Sequence, residues 1–396
     1  MNILNNKHFS IYLIILFIFS VFYLYQKHLV GNDSTISEWL INYEGGFTKR
    51  GLIGQIAIFF SSLIDIKLRL SIFIFQTTII AIYYLLLNSF ILDIKLNNLI
   101  IFSIFTPIFV LYPVAEIEVL ARKEIFLYCF FLFYLLIDNI NYKNIYKLTI
   151  LPLAILIWEP VIFFFPFWLI IDFFEQGEKY PLKNFLKNII FYSPAIFLGF
   201  FIAFNPISVE GHKEMADFLK NEFNETCYMS CDLLLSKSKI SEQFSAVFAL
   251  FTFERIIRYL LVLLIGFGPL IILLKYSEFK KLNLKITCII VSLPIIILFL
   301  MMTDWGRVVN MYYSFSILTF LHLLKKNYLK INQSYKKNFF VNFFKTKKLL
   351  IFFFIIFCFG WNPKTSIVGD VGSKPGYQIP RKALKIIYFK YIKNNY

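Results

Sequence analysis

Apolar residues in this chain fall in blocks of about 14 to 24, set apart by short polar stretches. A helix rises about 1.5 Å per residue, so roughly 20 such residues span a hydrocarbon layer about 30 Å thick. The blocks lie at 9–25, 51–64, 70–91, 99–112, 125–137, 148–171, 188–204, 259–274, 286–302, 308–324 and 349–361. Since lipid offers no partner to free backbone amides, each block is read as a helix. The pattern predicts an all-α, polytopic integral membrane bundle of about eleven transmembrane helices, with interfacial helices on the outer face. Its single transmembrane domain covers 1–361, with outer loops 26–50 and 205–258, and a basic C-terminal tail covers 362–396. Lys7 followed by the aromatic run Phe9–Tyr25, with no small-residue cleavage site, reads as an uncleaved first helix.

Alternation from a cytoplasmic N-terminus places Lys67 and Arg69 inside, together with the lysine-rich stretches 275–285 and 325–348. A second topology stands beside it. The block 51–64 is short for a crossing, and if it stays on the outer surface the spans from 70 to 137 reverse. AEIEVLARKE (115–124) then faces the same side as YEGGFTKRG (43–51), and parity is restored where Trp158-Glu159-Pro160 interrupts 148–171. In the long outer loop, HKEMADFLKNEF predicts a surface helix. Ala246 to Arg258 predicts an amphipathic one carrying a Glu254/Arg258 pair.

Composition supports this class. The chain is 59% hydrophobic and 16% charged, whereas a soluble domain is nearer half apolar and a quarter charged. Its 50 Phe, with abundant Ile, Lys and Asn, fit an AT-rich genome, so aromatic clusters are not read as binding platforms. The net charge of +16 concentrates in loops between apolar blocks, the distribution of cytoplasmic loops rather than of a nucleic-acid binder. Of five Cys, Cys129, Cys288 and Cys358 lie in apolar spans as inert thiols, while Cys227 and Cys231 form a short disulfide if their loop is extracytoplasmic. His212 alone accompanies those two, so no metal site is read there, and His212 itself reads as a solvated loop residue.

Chemistry is sought where charge meets the membrane surface. In the first outer loop, Asp33 is a helix cap or a base, Ser37–Leu40 an interfacial turn with Trp39 at headgroup level, and Glu44 a second acid. Gly45 and Gly46 allow the backbone beside Lys49 and Arg50 to approach a phosphate, which Arg meets with two parallel N–H bonds and Lys as a point charge. The alternative for these cations is snorkelling at a helix start. Glu118 and Arg122, four apart, form either a helical ion pair or part of a second charged cluster with Glu116, Lys123 and Glu124. Glu159 sits in mid-span and requires a partner or a cavity. Asp304 and Arg307, three apart in the short turn MMTDWGRVVN, bridge to each other or point jointly into a site. There is no P-loop, dinucleotide fingerprint, GxSxG or HExxH, and no cofactor is called for.

GGFTKRGLIG, ARKE and DWGR, in that order, resemble polytopic bacterial inner-membrane proteins of surface-polysaccharide gene clusters. In layout the chain also looks like GT-C-type glycosyltransferases and O-antigen polymerases, though it lacks a paired-acid motif in the first loop and an arginine-rich loop. The resemblance implies a multi-pass protein of the inner membrane acting on a polyprenyl-phosphate-linked sugar or glycan, with polysaccharide-assembly proteins as partners. It makes Asp33 the base, with Glu44 or Glu38 as substitutes, and maps the cations onto Arg50, Arg122 and Arg307. Lys49, Glu159 and Asp304 complete the expected binding set, and Arg50, Arg307 and an acid are expected to share one cavity. A flippase for such a glycan and a non-catalytic assembly protein are the competing readings.

Overall fold

Helix dominates the computed structural model, which describes residues 4–30, 34–175, 182–227, 230–235, 240–279, 284–332, 346–367 and 372–392. Among them, three helices are long and apolar enough to cross a bilayer: Asn6–Leu29, Leu68–Leu92 and Phe253–Lys275. Shorter apolar helices occupy Gly51–Ile64, Glu124–Leu136 and Ile286–Met301. By these helices the chain is a membrane protein of mostly helical build.

Two of the expected single spans are divided, each at a proline. The run 99–112 ends as the helix Asn98–Phe105, because Pro107 forces Thr106 into an extended conformation (φ −53°, ψ 140°) and lacks the N–H that Ser103 O would accept. A short helix, Tyr112–Ala115, follows. The run 148–171 belongs to a helix starting earlier, Ile140–Ile157. Trp158 is extended (φ −158°), the 3-10 turn Glu159–Phe164 follows, and Phe165–Glu175 resumes the α-helix. The amphipathic helix expected over 246–258 is also two: Ile240–Ala249, then Phe253–Lys275, whose cap Thr252 accepts from Arg255 N–H at 3.3 Å. The Glu254–Arg258 pair survives on the second, at 2.6 Å.

The chain forms two compact units, one of Met1–Phe22, Asn88–Val119 and Glu242–Tyr396, the other of Tyr23–Leu87 and Leu120–Ser241. In the first unit the almost wholly buried helix Trp305–Lys325 is the core. Its polar side chains serve the backbone that Pro107 breaks. Tyr313 Oη donates to Ser103 O at 2.7 Å, and Asn310 Nδ2 donates to the carbonyls of Ile108 and Phe109, both at 2.9 Å. Trp305 lies among Phe251, Tyr259 and Phe299, with ring centroids 5.2–5.5 Å away. The strand Ser277–Phe279 pairs antiparallel with Leu329–Ile331, Ser277 opposite Ile331. The described residues after 361 are folded rather than trailing. Trp361–Asn362 pairs with Gly372–Ser373, Gly306 N–H donates to Thr365 O at 3.0 Å, Ile367 N–H donates to Thr303 O at 2.8 Å, and the helix Pro375–Ile387 follows.

In the second unit, Ile140–Ile157 packs against Leu182–Phe204, with Trp158, Trp168 and Phe164 fully buried nearby in sequence. Lys143 and Lys147, which precede the apolar block and look like loop cations, are also fully buried. Lys147 Nζ lies 2.9 Å from Asp172 Oδ2, and Lys143 pairs with Glu175. Asp172 also accepts from the hydroxyls of Tyr134 and Tyr192, the latter at 2.9 Å. Those bonds are why the helix begins before its apolar run.

Candidate functional site

The site in the second unit begins with the helix Ser34–Leu40, all seven residues of which are buried. Trp39 faces the protein interior rather than an exposed interfacial turn. Its indole is fully buried and donates to Ala121 O at 2.9 Å, which holds Glu38 inside at 2% exposure. The chain then turns: Gly46 takes φ +100°, a conformation open to glycine, and its N–H donates to Tyr43 O at 2.9 Å. Gln55, from the next helix, fixes this loop at both faces, accepting from Tyr43 N–H at 2.9 Å and donating to Glu44 Oε1 at 2.8 Å.

Arg50 ends the loop with φ +65°, a left-handed conformation that costs a non-glycine residue about 1 kcal/mol or more. Its guanidinium forks onto Glu159, Nε to Oε2 and Nη2 to Oε1 both at 2.8 Å. Nη1 lies 3.7 Å from Glu38 Oε1. Lys123 donates through Nζ to the Arg50 carbonyl, and its own N–H lies 3.5 Å from Glu38 Oε2. The break at Trp158, which removes Glu159 from a continuous helix, brings that carboxylate to Arg50. Lys49 completes the group, its charge coupled to those of Glu159 and Arg50.

The electrostatics follow from burial. Lys123 is fully buried, and desolvation brings its ammonium down to about 7, opposed by Glu38 and Glu159 and assisted by the Arg50 charge. Lys49 is lowered by burial first, with Glu159 opposing and Arg50 adding. A lysine whose folded pKa is depressed binds its proton more weakly in the native state than in the unfolded one. Folding stability therefore rises with pH from about 7 towards the ordinary lysine range, and the full cost of the buried charge is present below about 7. Thermal unfolding in detergent between pH 6 and 10 should show a rising Tm that Lys123→Met flattens. An unchanged slope in that variant would remove Lys123 as its source.

Of the residues singled out in sequence, Lys49, Arg50 and Glu159 come together, and Glu38 and Lys123 join them. Asp33 lies outside the described residues. Glu44 is exposed at the loop surface, held by Gln55. The helical pair expected of Glu118 and Arg122 has no helix to form on. Glu118 sits in the 3-10 turn Ile117–Val119, and Ala121 (φ +54°) reverses the chain before Arg122. His212 is buried rather than solvated, its Nε2 3.2 Å from Cys231 O, and the Cys227–Cys231 disulfide forms beside it.

The first unit carries its own charged group. Arg307, buried, bonds Asp304 Oδ2 at 2.7 Å, so that pair bridges internally. Glu116 Oε1 accepts from Asn362 Nδ2 and Lys364 Nζ, both at 2.8 Å. Tyr259 Oη donates to the carbonyls of Lys364 and Ser366 at 3.1 and 3.0 Å. These bonds tie the turn 303–307 and the stretch 362–367 into one polar knot.

No signal of period or spacing pointed to Lys123 or Glu38 as members of the Arg50 group. The hints were the resemblance, which made Glu38 a substitute acid, and the second topology, which turns the stretch holding Lys123 to the side of Arg50. Comparison with protein-family models, curated proteins and solved structures found no match for the chain.

Proposed function

We propose that the protein is a membrane glycosyltransferase or polysaccharide polymerase of the bacterial inner membrane, acting on a polyprenyl-phosphate-linked sugar in cell-surface glycan assembly. The observation that carries this reading is the Arg50 cluster: three cations, Lys49, Arg50 and Lys123, gathered around two carboxylates beside a glycine-containing loop. Glu159 orients the guanidinium through two of its N–H groups, and the positive charges of Arg50 and Lys49 are what would draw a phosphate to this loop. In the reaction, the acceptor hydroxyl oxygen forms a bond to the anomeric carbon as the bond from that carbon to the phosphate oxygen breaks. An acid of the first loop, Glu44 or Asp33, takes the hydroxyl proton. The departing polyprenyl phosphate keeps the electron pair, and the cations stabilise the charge it gains. A lipid-borne donor also accounts for a chain with no nucleotide-binding fingerprint.

A strain lacking the protein should lose or truncate one surface glycan and accumulate its polyprenyl-linked precursor on the outer face of the membrane. Accumulation on the cytoplasmic face instead would favour a flippase, and an unchanged glycan would remove both readings.

A further inference from the structure

We propose that the helix Gly51–Ile64 does not cross the bilayer but lies in the outer headgroup layer beside Val209–Phe223, as a platform whose partner is lipid. Val209–Phe223 is too polar to enter hydrocarbon, with Glu210, Lys213, Glu214, Asp217, Lys220 and Glu222 along 15 residues. It is bent by 97° from the apolar helix Asn188–Phe204, so if that helix stands upright in the membrane, this one lies along its surface.

Both ends of the polar helix are pinned to the two ends of Gly51–Ile64. Before the apolar helix, Gly45 and Gly211 meet backbone to backbone, so closely that a Cβ on either would overlap the other's carbonyl. After it, Arg69 forks onto Glu225, Nε to Oε1 at 2.6 Å and Nη2 to Oε2 at 2.8 Å. The two helices, of 14 and 15 residues, have similar lengths of about 21 and 22.5 Å at 1.5 Å per residue. Residues 45 and 69 therefore sit at one depth, which a crossing helix between them forbids.

Two further contacts agree. Tyr25 and His28, near the end of the first spanning helix, each place a ring 5.9 Å from Phe73, near the start of Leu68–Leu92. The first span thus arrives where the next departs. Ile56, Phe59 and Leu63 form an exposed apolar stripe on Gly51–Ile64 at helical spacing, a face suited to acyl chains while the charged helix meets water. The Cys227–Cys231 disulfide belongs to this layer, and disulfides persist in oxidising compartments, which makes the side extracytoplasmic. This selects the second of the two topologies open in the sequence, and it does not depend on what the Arg50 cluster binds.

The test is labelling of single cysteines by a membrane-impermeant maleimide in spheroplasts, in a full-length chain with Cys129, Cys288 and Cys358 replaced by Ala. Glu44→Cys, Lys67→Cys and Glu222→Cys should label in intact spheroplasts, and Lys95→Cys, beyond the next span, only after permeabilisation. Ser62→Cys, exposed near the same helix end, reads the same side if Lys67→Cys does not accumulate. Labelling of Glu44→Cys but not of Lys67→Cys or Ser62→Cys before permeabilisation would show a crossing and overturn the proposal. Labelling of all these positions only after permeabilisation, with Lys95→Cys labelled before it, would overturn the outward placement.

Discussion

Arg50→Ala should destabilise the second unit by about 3 kcal/mol and abolish the surface glycan. The substitution leaves Glu159 without the fork that satisfies both its oxygens, and removes a guanidinium 3.7 Å from buried Glu38. Removing one partner of a buried pair costs about 3–5 kcal/mol, and a side chain one-fifth exposed (20%) falls at the low end. Alanine also keeps part of the strain at φ +65°, so Arg50→Gly should cost about 1 kcal/mol less while removing the same charge. Arg50→Gly with Glu159→Gln should recover most of the stability, because no ionised carboxylate is then left at that position. Activity should not return with it. This split between unfolding temperature and glycan output separates a structural ion pair from one that also receives substrate.

The second large effect is expected far from that loop. Lys147→Met alone and Asp172→Asn alone should each cost about 3–5 kcal/mol, since each leaves the other charge fully buried without its counter-ion. Together they should cost much less than the sum. Asparagine keeps an acceptor for the hydroxyls of Tyr134 and Tyr192, and methionine fills the lysine stem's volume without a charge. A coupling of about 2 kcal/mol or more in a double-mutant cycle on Tm-derived stability is the expected result. Additive costs would mean that Lys147 and Asp172 do not depend on each other. The doubly substituted protein should retain its surface glycan, because this group lies within packed helices and satisfies itself.

These two groups show what the amino-acid pattern conveys and what it hides. Uninterrupted apolar runs such as 9–25 and 70–91 became long helices, because nothing in them competes with the i→i−4 ladder. The runs 99–112 and 148–171 looked the same on hydropathy, yet Pro107 and Pro160 divide them, and the polar residues answering those breaks lie far along the chain. Asn310 and Tyr313 serve carbonyls some 200 positions earlier, at |i−j| of 201–210. The pair Arg50–Glu159 spans 109 positions, so charge alone marked both residues while nothing local joined them. Asp304 and Arg307, three apart, were readable as a pair for the opposite reason. Lys143 and Lys147 show the remaining difficulty: next to Asn and Tyr they look solvated, yet the carboxylates of Glu175 and Asp172 on another helix, with the rings of Tyr134 and Tyr192, draw them inside.

The binding of polyprenyl phosphate to the purified, detergent-solubilised chain, read by native mass spectrometry, decides whether the Arg50 cluster is a lipid-phosphate site. The unsubstituted protein should retain the lipid at concentrations where Arg50→Gly/Glu159→Gln, folded and of comparable Tm, has lost it. Equal retention by the two proteins would leave the guanidinium a structural tie and take the phosphate away from this loop.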